Sequence, residues 1–340
     1  MRKVAGLVML VFVACGRSGS DARLDGAGAS DAVRDGPPAT SCGGLANTCG
    51  PTGTESCCDS PVVPGGTYAR SYDVSGDGMY PDSSFGATVS DFRLDKYEVT
   101  VGRFRAFVNA SMGTQASPPA SGAGARTLNG MANQGGWDPS FNASLTTSTT
   151  ALIAAVKCKA AYQTWTDTAA ANESLPMNCI TWYEAIAFCA WDGGFMPTEA
   201  EWNYSASGGS EQRAYPWSSP PGFLGIDCSY ANYFNFNDGF CVNPPTGATN
   251  RVGSESPKGD GKWGQSDLAG NVVEWTLDWD ASPYPQNPCP DCANLTPATN
   301  RAVRGGGFPY PATAERAAVR GSVPPSARFD NIGVRCARTP

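Results

Sequence analysis

The side chains able to do chemistry in this chain are bounded first by a missing one: among 340 residues there is no histidine. Imidazole general bases, Ser-His-Asp and Cys-His nucleophile systems, and His-ligated zinc, copper or iron are thereby removed. Carboxylates, hydroxyls and 13 cysteines remain. Thiolates suit soft metals, whereas carboxylates with backbone carbonyls suit hard ones. Cys42, Cys49, Cys57 and Cys58 crowd into SCGGLANTCGPTGTESCCDSP, a stretch too small and polar to fold without cross-links. Two local disulfides are predicted there, with a four-thiolate zinc site as the rival, although adjacent Cys57 and Cys58 are unlike zinc-knuckle spacing. Cys289-Pro-Asp-Cys292 has a C-x-x-C spacing that is redox-active where a helix N-terminus lowers one thiol's pKa. In the loop NPCPDCANL it reads as a staple instead.

The compartment and the elements that position these groups follow from the rest of the chain. The apolar run VAGLVMLVFVA, residues 4–14, follows Arg2 and Lys3 and is too short to cross a bilayer, the layout of an export signal. It ends in Val13-Ala14-Cys15-Gly16, which resembles a bacterial lipobox with Cys15 as the lipidated residue. Phe12 replaces the usual Leu, and an ordinary secreted protein is the alternative. The expected location is the bacterial cell envelope, with the lipid anchor as the membrane contact. Setting Cys15 aside leaves twelve cysteines, enough for six disulfides in an oxidising compartment. The formal charge of −7 repels phosphate backbones, so nucleic acid is not an expected partner.

Residues 1–15 are therefore read as a lipoprotein signal, 16–41 as a flexible Gly/Ala/Ser/Asp linker, 42–60 as the Cys-rich segment, and 61–338 as one large domain, expected to be monomeric. FRLDKYEVTV, residues 92–101, is strand-like, and GRFRAFVNASM, which follows it, has helical spacing of Phe104, Phe107, Val108 and Met112. Residues 110–148 read as a surface excursion with little regular structure. In CITWYEAIAFCAWDGGFMPTEAEW, two capping boxes, Thr181 with Glu184 and Thr198 with Glu201, predict two successive helices. Trp182, Trp202, Trp217, Trp275 and Trp279 are expected in the core, and Glu201 as a buried salt-bridge partner. Tyr72, Tyr80, Phe308 and Tyr310 lie in Gly/Pro-rich loops and are expected on a binding surface.

CITWYEAIAFCAWDGGFMPTEAEW, YPW at 215–217, DLAGNVVEWTLDW at 267–279, VRGGGF at 303–308 and IGVRCAR at 332–338 together resemble the sulfatase-modifying-factor family, the formylglycine-generating enzymes. FRLDKYEVTVGRF is similar to the family's opening block, so the resemblance spans roughly 64–338. It implies an α+β fold related to C-type lectins, loop-rich with few regular elements, and bound calcium. One implied ion would use the side chains of Asp267 and Glu274 and the carbonyls of Gly270 and Val272; a second would use Asn232, the Tyr233 carbonyl, Asp238 and the Phe240 carbonyl. On residues alone, Glu274 reads instead as a buried carboxylate paired with an arginine such as Arg304 or Arg320. Asn237-Asp238-Gly239 reads equally as a surface Asx-turn. The resemblance also implies a Cys189–Cys336 disulfide, worth about 4 kcal/mol or more in the chain-entropy view. Cys158 with Cys179, Cys228 with Cys241, and Cys289 with Cys292 are pairings by proximity.

The resembled enzymes oxidise a substrate cysteine to formylglycine with oxygen and a copper-holding cysteine pair placed just after the RGG block. Here Arg304 to Ser322, RGGGFPYPATAERAAVRGS, contains no cysteine. Gly307 stands at the family's Ser, and Tyr310, Ala312 and Thr313 cannot replace a copper(I) thiolate. Copper is not expected. Gly307, Phe308 and Tyr310 would line a vestigial groove. The resemblance thus implies a catalytically silent, calcium-stabilised module for a protein, peptide or glycan ligand; the alternative is an oxygen-dependent oxidoreductase acting on protein cysteine with a non-standard site.

Overall fold

Four hydroxyl caps start the helices, each satisfying backbone N–H groups that the first turn leaves without partners. Thr100 accepts from Arg103 N at 3.3 Å and Ser148 from Ala151 N at 3.2 Å. The two capping boxes form as the sequence predicts. Thr181 and Glu184 exchange bonds of 3.2 and 3.0 Å, and Thr198 and Glu201 bonds of 3.1 and 2.8 Å. The computed structural model describes residues 39–242 and 247–340. The signal, Cys15 and the linker up to residue 38 lie outside the described residues.

In chain order the elements are β1 (Val62–Val63), β2 (Gly66–Ala69), β3 (Gly86–Val89), β4 (Phe92–Leu94), α1 (Val101–Asn109), β5 (Arg126–Leu128), β6 (Met131–Gln134), α2 (Thr149–Ala155), α3 (Trp182–Trp191), α4 (Glu199–Ala206), β7 (Phe234–Asn235), β8 (Gly239–Phe240), β9 (Val273–Trp279), β10 (Cys289–Pro290), β11 (Arg301–Arg304), β12 (Gly321–Val323), β13 (Ile332–Gly333) and β14 (Ala337–Arg338). The architecture is α+β and loop-rich. The main sheet has the order β12-β11-β9-β13, with β13 parallel to β9 and the other pairs antiparallel. Two three-stranded sheets, β1-β4-β14 and β10-β3-β2, and the hairpins β5-β6 and β7-β8 complete it. No helix among the described residues is long and apolar enough to cross a membrane.

The main core gathers Phe104 and Phe107 of α1, Trp182, Ile186 and Phe188 of α3, and Trp275 of β9. Buried indoles need acceptors for their N–H groups. Trp182 donates to Thr276 O at 2.8 Å and Trp275 to Ile180 O at 3.1 Å, which stitches the start of α3 to β9. Trp202 and Trp217 are buried as expected, whereas Trp279 is only half-buried. Glu201 pairs with Arg126.

Two expectations about local structure change. Only Phe92–Leu94 of the strand-like 92–101 stretch enters a sheet. After Leu94 the chain leaves the ladder because Asp95 must reach the buried guanidinium of Arg103 at 2.8 Å and Glu98 turns inward. The 110–148 excursion is more structured than its composition implies. It holds β5, β6 and α2's cap, and Leu128, Trp137 and Leu145 plug the main core, apolar residues spaced too widely to show a period.

All twelve cysteines among the described residues are paired: Cys42–Cys58, Cys49–Cys57, Cys158–Cys179, Cys189–Cys336, Cys228–Cys241 and Cys289–Cys292. The Cys-rich segment therefore takes the disulfide form, not the zinc form. It also packs on the domain, where Glu55 accepts from Tyr97 at 2.6 Å, and so does the end of the expected linker: Ser41 is buried and its Oγ accepts from Arg103 at 3.0 Å. The C-x-x-C pair is a staple on β10, with Cys289 and Cys292 both buried.

Candidate functional site

The segment after β11 is built around glycine. Gly305 and Gly306 have φ of +101° and +69°, which L side chains rarely adopt. A Cβ at Gly306 would also meet Glu315 Oε2 at 2.2 Å. This close approach lets the fully buried Glu315 accept the Gly307 N–H at 3.0 Å and fold residues 307–315 back over themselves. Burial pushes the Glu315 carboxyl well above the usual range, against the opposing pull of the backbone N–H groups of Gly307 and Gly270. Sequence reading missed Glu315; a lone carboxyl in the small-residue stretch ATAERAA was the available signal.

A cavity of about 250 Å³ opens beside this loop, lined by Val273, Val303, Gly306, Tyr310, Ala314, Arg320 and Ile332 among others. Of the three expected groove residues only Tyr310 lines it, and its side chain is exposed. Phe308 corrects the expectation of an exposed ring: it is buried, 5.8 Å from the Tyr162 ring, because its N–H is tied to Asn271 O at 3.0 Å. Gly307 forms the turn behind the lining. No cysteine, histidine or carboxylate lines the cavity. With every described thiol oxidised into a disulfide, the donor set there does not fit copper(I), which needs thiolates.

The arginines at the rim are already committed. Arg304 Nη2 lies 2.7 Å and Arg320 Nε 2.7 Å from Glu199 Oε1. Burial alone would raise the Glu199 carboxyl, but the two guanidiniums hold it below the usual carboxylate value. Neither arginine therefore pairs with Glu274, as the residue-only reading had it. Glu274 pairs with Arg335, whose Nη2 lies 2.7 Å from Oε1 and whose Nε lies 2.8 Å from Oε2, while Trp202 Nε1 donates to Oε2 at 2.7 Å.

This arrangement bears on the two cation sites implied by the resemblance. In the first, both oxygens of Glu274 are occupied by donors, so that half of the set does not fit a metal without displacing Arg335. Asp267 does fit. Its carboxylate accepts Gly253 N at 2.6 Å and lies against the fully buried Glu98, a carboxyl–carboxyl contact in which Glu98 has no other hydrogen-bond partner. Glu255 adds a further buried oxygen with no donor. Burial and then the Asp267 charge push Glu98 well up and Glu255 up to about 8; burial pushes Asp267 up to about 6. Orphaned buried carboxylate oxygens call for protons or a hard cation. Among the described residues no three acidic side chains converge closely enough to hold an ion unaided, so the carbonyls at Gly270 and Val272 would have to complete a shell. Glu98 and Glu255 were missed in the sequence; a Glu between Tyr97 and Val99 in the strand-like DKYEVTV stretch was the signal for the first.

The second set is split, with Tyr233, Asp238 and Phe240 on the β7-β8 hairpin and its flank, and the Asn232 side chain turned to other partners. Asn232 is buried, its Nδ2 donating to Ala248 O at 2.8 Å and Asn271 Oδ1 at 3.3 Å. Asp238 sits on the exposed β7-β8 turn, accepting from Asn235 Nδ2 at 2.8 Å. Asn237 N donates to Asn235 Oδ1 at 3.0 Å, an Asx-turn that starts at Asn235, two residues before the Asn237-Asp238-Gly239 turn expected. The Tyr233 carbonyl accepts Cys241 N at 3.3 Å, and Phe240 lies in β8.

The glycine loop after β11 sits on a four-stranded sheet beside two capped helices, the scaffold on which the family assignment rests. The chain belongs to the sulfatase-modifying factor enzyme 1-like domain family, whose model matches residues 46–340. It is 34% identical to the formylglycine-generating enzyme of Streptomyces coelicolor over 48% of this chain and 52% of that protein. It is 33% identical to the inactive C-alpha-formylglycine-generating enzyme 2 of Bos taurus over 48% and 50%. The chain thus spans about half the length of these two relatives. The structure of PvdO from Pseudomonas aeruginosa shares the fold, with a TM-score of 0.54 at 21% identity over 82% of this chain and 93% of that one.

Proposed function

We propose that the protein is an exported, lipid-anchored member of the family that does not oxidise cysteine and serves as a binding module for a protein, peptide or glycan. The observation that carries this reading is the cysteine inventory. The loop where the family keeps its copper-binding thiols has none, and the twelve described cysteines are all cross-linked. A relative named as inactive gives the reading a precedent within the family. The disulfides fit an oxidising compartment, as export requires. Tyr310 and the apolar cavity beside it offer the contact surface.

The test is direct. Purified protein is incubated with copper, oxygen and a Cys-Thr-Pro-Ser-Arg peptide beside the Streptomyces enzyme as control. The expected mass spectrum shows the peptide unchanged; conversion of its cysteine to formylglycine overturns the proposal in favour of an oxidoreductase with unfamiliar ligands.

Calcium belongs to the same proposal, centred on Asp267 and the carbonyls at Gly270 and Val272, with Glu98 and Glu255 rather than Glu274 as the neighbouring carboxylates. An ion there would supply charge to oxygens that otherwise have no donor. The expected result is that EDTA lowers Tm by several degrees, calcium restores it, and Glu255→Gln weakens the restoration. A Tm indifferent to EDTA, together with no calcium in metal analysis of protein purified without chelator, removes the ion from the proposal.

A further inference from the structure

Arg301 stands apart from the other buried arginines. Arg103, Arg304, Arg316 and Arg335 each have a carboxylate within 3 Å. Arg301 is 2% exposed and has no ion-pair partner among the described residues. Its guanidinium is held between two indoles, 3.5 Å from the Trp182 ring centre and 3.7 Å from that of Trp279. Nη1 donates to Leu277 O at 2.6 Å, while Nε is buried with no acceptor. Burial draws this guanidinium down to about 9, whereas Arg103, Arg304 and Arg335 are raised by their acids. Asp278 and Tyr183 are the groups whose fields reach it. The Asp278 carboxyl, however, is taken by Glu199 N and Asn294 N, both at 2.7 Å.

A buried cation without a counter-charge is costly, and stacking between rings offsets only part of that cost. Arg301 and Val303, two residues apart on β11, line different cavities, and a register shift spaces their β9 partners, Trp279 and Trp275, four residues apart. The Arg301 cavity has a volume of about 470 Å³, within the range of small-ligand sites. Phe141, Ile186, Leu277 and Leu295 form an apolar wall, and Gln134 and Asp138 lie on the polar side.

We propose that this cavity binds a small organic monocarboxylate with an apolar body, the carboxylate docking on Arg301 between the two indoles. One guanidinium and no other Lys or Arg line the cavity, so the charge available matches one carboxylate. Asp138 and the nearby Asp278 oppose a phosphate dianion. The apolar wall favours an aromatic or aliphatic body over a bare anion. The site shares no lining residue with the cavity beside Tyr310, and it stands whether or not that groove binds or oxidises anything.

Titration of the full chain with 3-phenylpropionate, read by calorimetry and by tryptophan fluorescence, tests the assignment. Saturable binding is expected, at least tenfold tighter than that of 3-phenylpropanamide, with inorganic phosphate failing to compete. Arg301→Gln abolishes the difference between acid and amide if it folds. Gln134→Glu places a like charge on the cavity wall without touching the core, and is expected to weaken the acid at least tenfold and the amide little. Equal binding of acid and amide, no saturable binding of the acid, competition by phosphate, or an unchanged acid affinity in Gln134→Glu each overturns the proposal.

Discussion

Replacing Cys189 and Cys336 together by alanine is expected to lower the unfolding free energy by about 5 kcal/mol. The bridge spans a sequence separation of 147, and in the chain-entropy view the cost of leaving so long a loop open in the unfolded chain is what the cross-link removes. Cys228–Cys241 and Cys289–Cys292 lie inside that loop but close only 13 and 3 residues of it, so they shorten it little. Both half-cystines are fully buried, and their loss adds a cavity term of the same sign. The bridge also anchors α3 to the C-terminal segment, where Arg338 Nη2 meets Asp192 at 2.7 Å. Guanidinium unfolding of the double variant against the parent measures the effect. A loss below about 1 kcal/mol, far under the chain-entropy value, would mean that the unfolded chain stays compact without this bridge.

The sequence carries the scaffold well because its strongest signals are local. Capping boxes at Thr181 and Thr198 set two helix starts within four residues each, and paired Gly steps end them. Disulfide partners close in the chain, such as Cys158 with Cys179, could be proposed from proximity, while Cys189 with Cys336 needed the family blocks. Buried ion pairs left no such trace. Glu274 and Arg335 are 61 residues apart, and Glu199 meets Arg304 and Arg320 across more than 100, so nothing in the spacing separates one arginine from another. Arg301 illustrates the same limit. It differs from Arg304 by three positions in one strand, so alternation puts the two on opposite faces, and the face of Arg301 offers two indoles and no acid. Phe308 looked exposed because Pro and Gly surround it, but the backbone bond to Asn271 turns its ring inward.

Arg335→Ala is expected to destabilise the fold by about 3–5 kcal/mol, because it strips a fully buried carboxylate of its counter-charge. Glu274 would keep only the Trp202 N–H. Three backbone carbonyls, those of Asp95, Lys96 and Ser266, would lose donors at 3.1, 3.0 and 2.9 Å. A partner change separates the pair's worth from the penalty of breaking it: Glu274→Gln in the Arg335→Ala background removes the orphaned charge, and part of the loss is expected to return. The single change Glu274→Gln also decides which carboxylates matter to calcium. If an ion is held by Asp267 and the carbonyls at Gly270 and Val272 with Glu98 or Glu255 beside them, this variant keeps the Tm rise on adding calcium, since Glu274 already spends both oxygens on Arg335 and Trp202. If the rise disappears while Glu255→Gln leaves it intact, Glu274 releases Arg335 to ligate the ion, and the buried pair is then a state that calcium replaces.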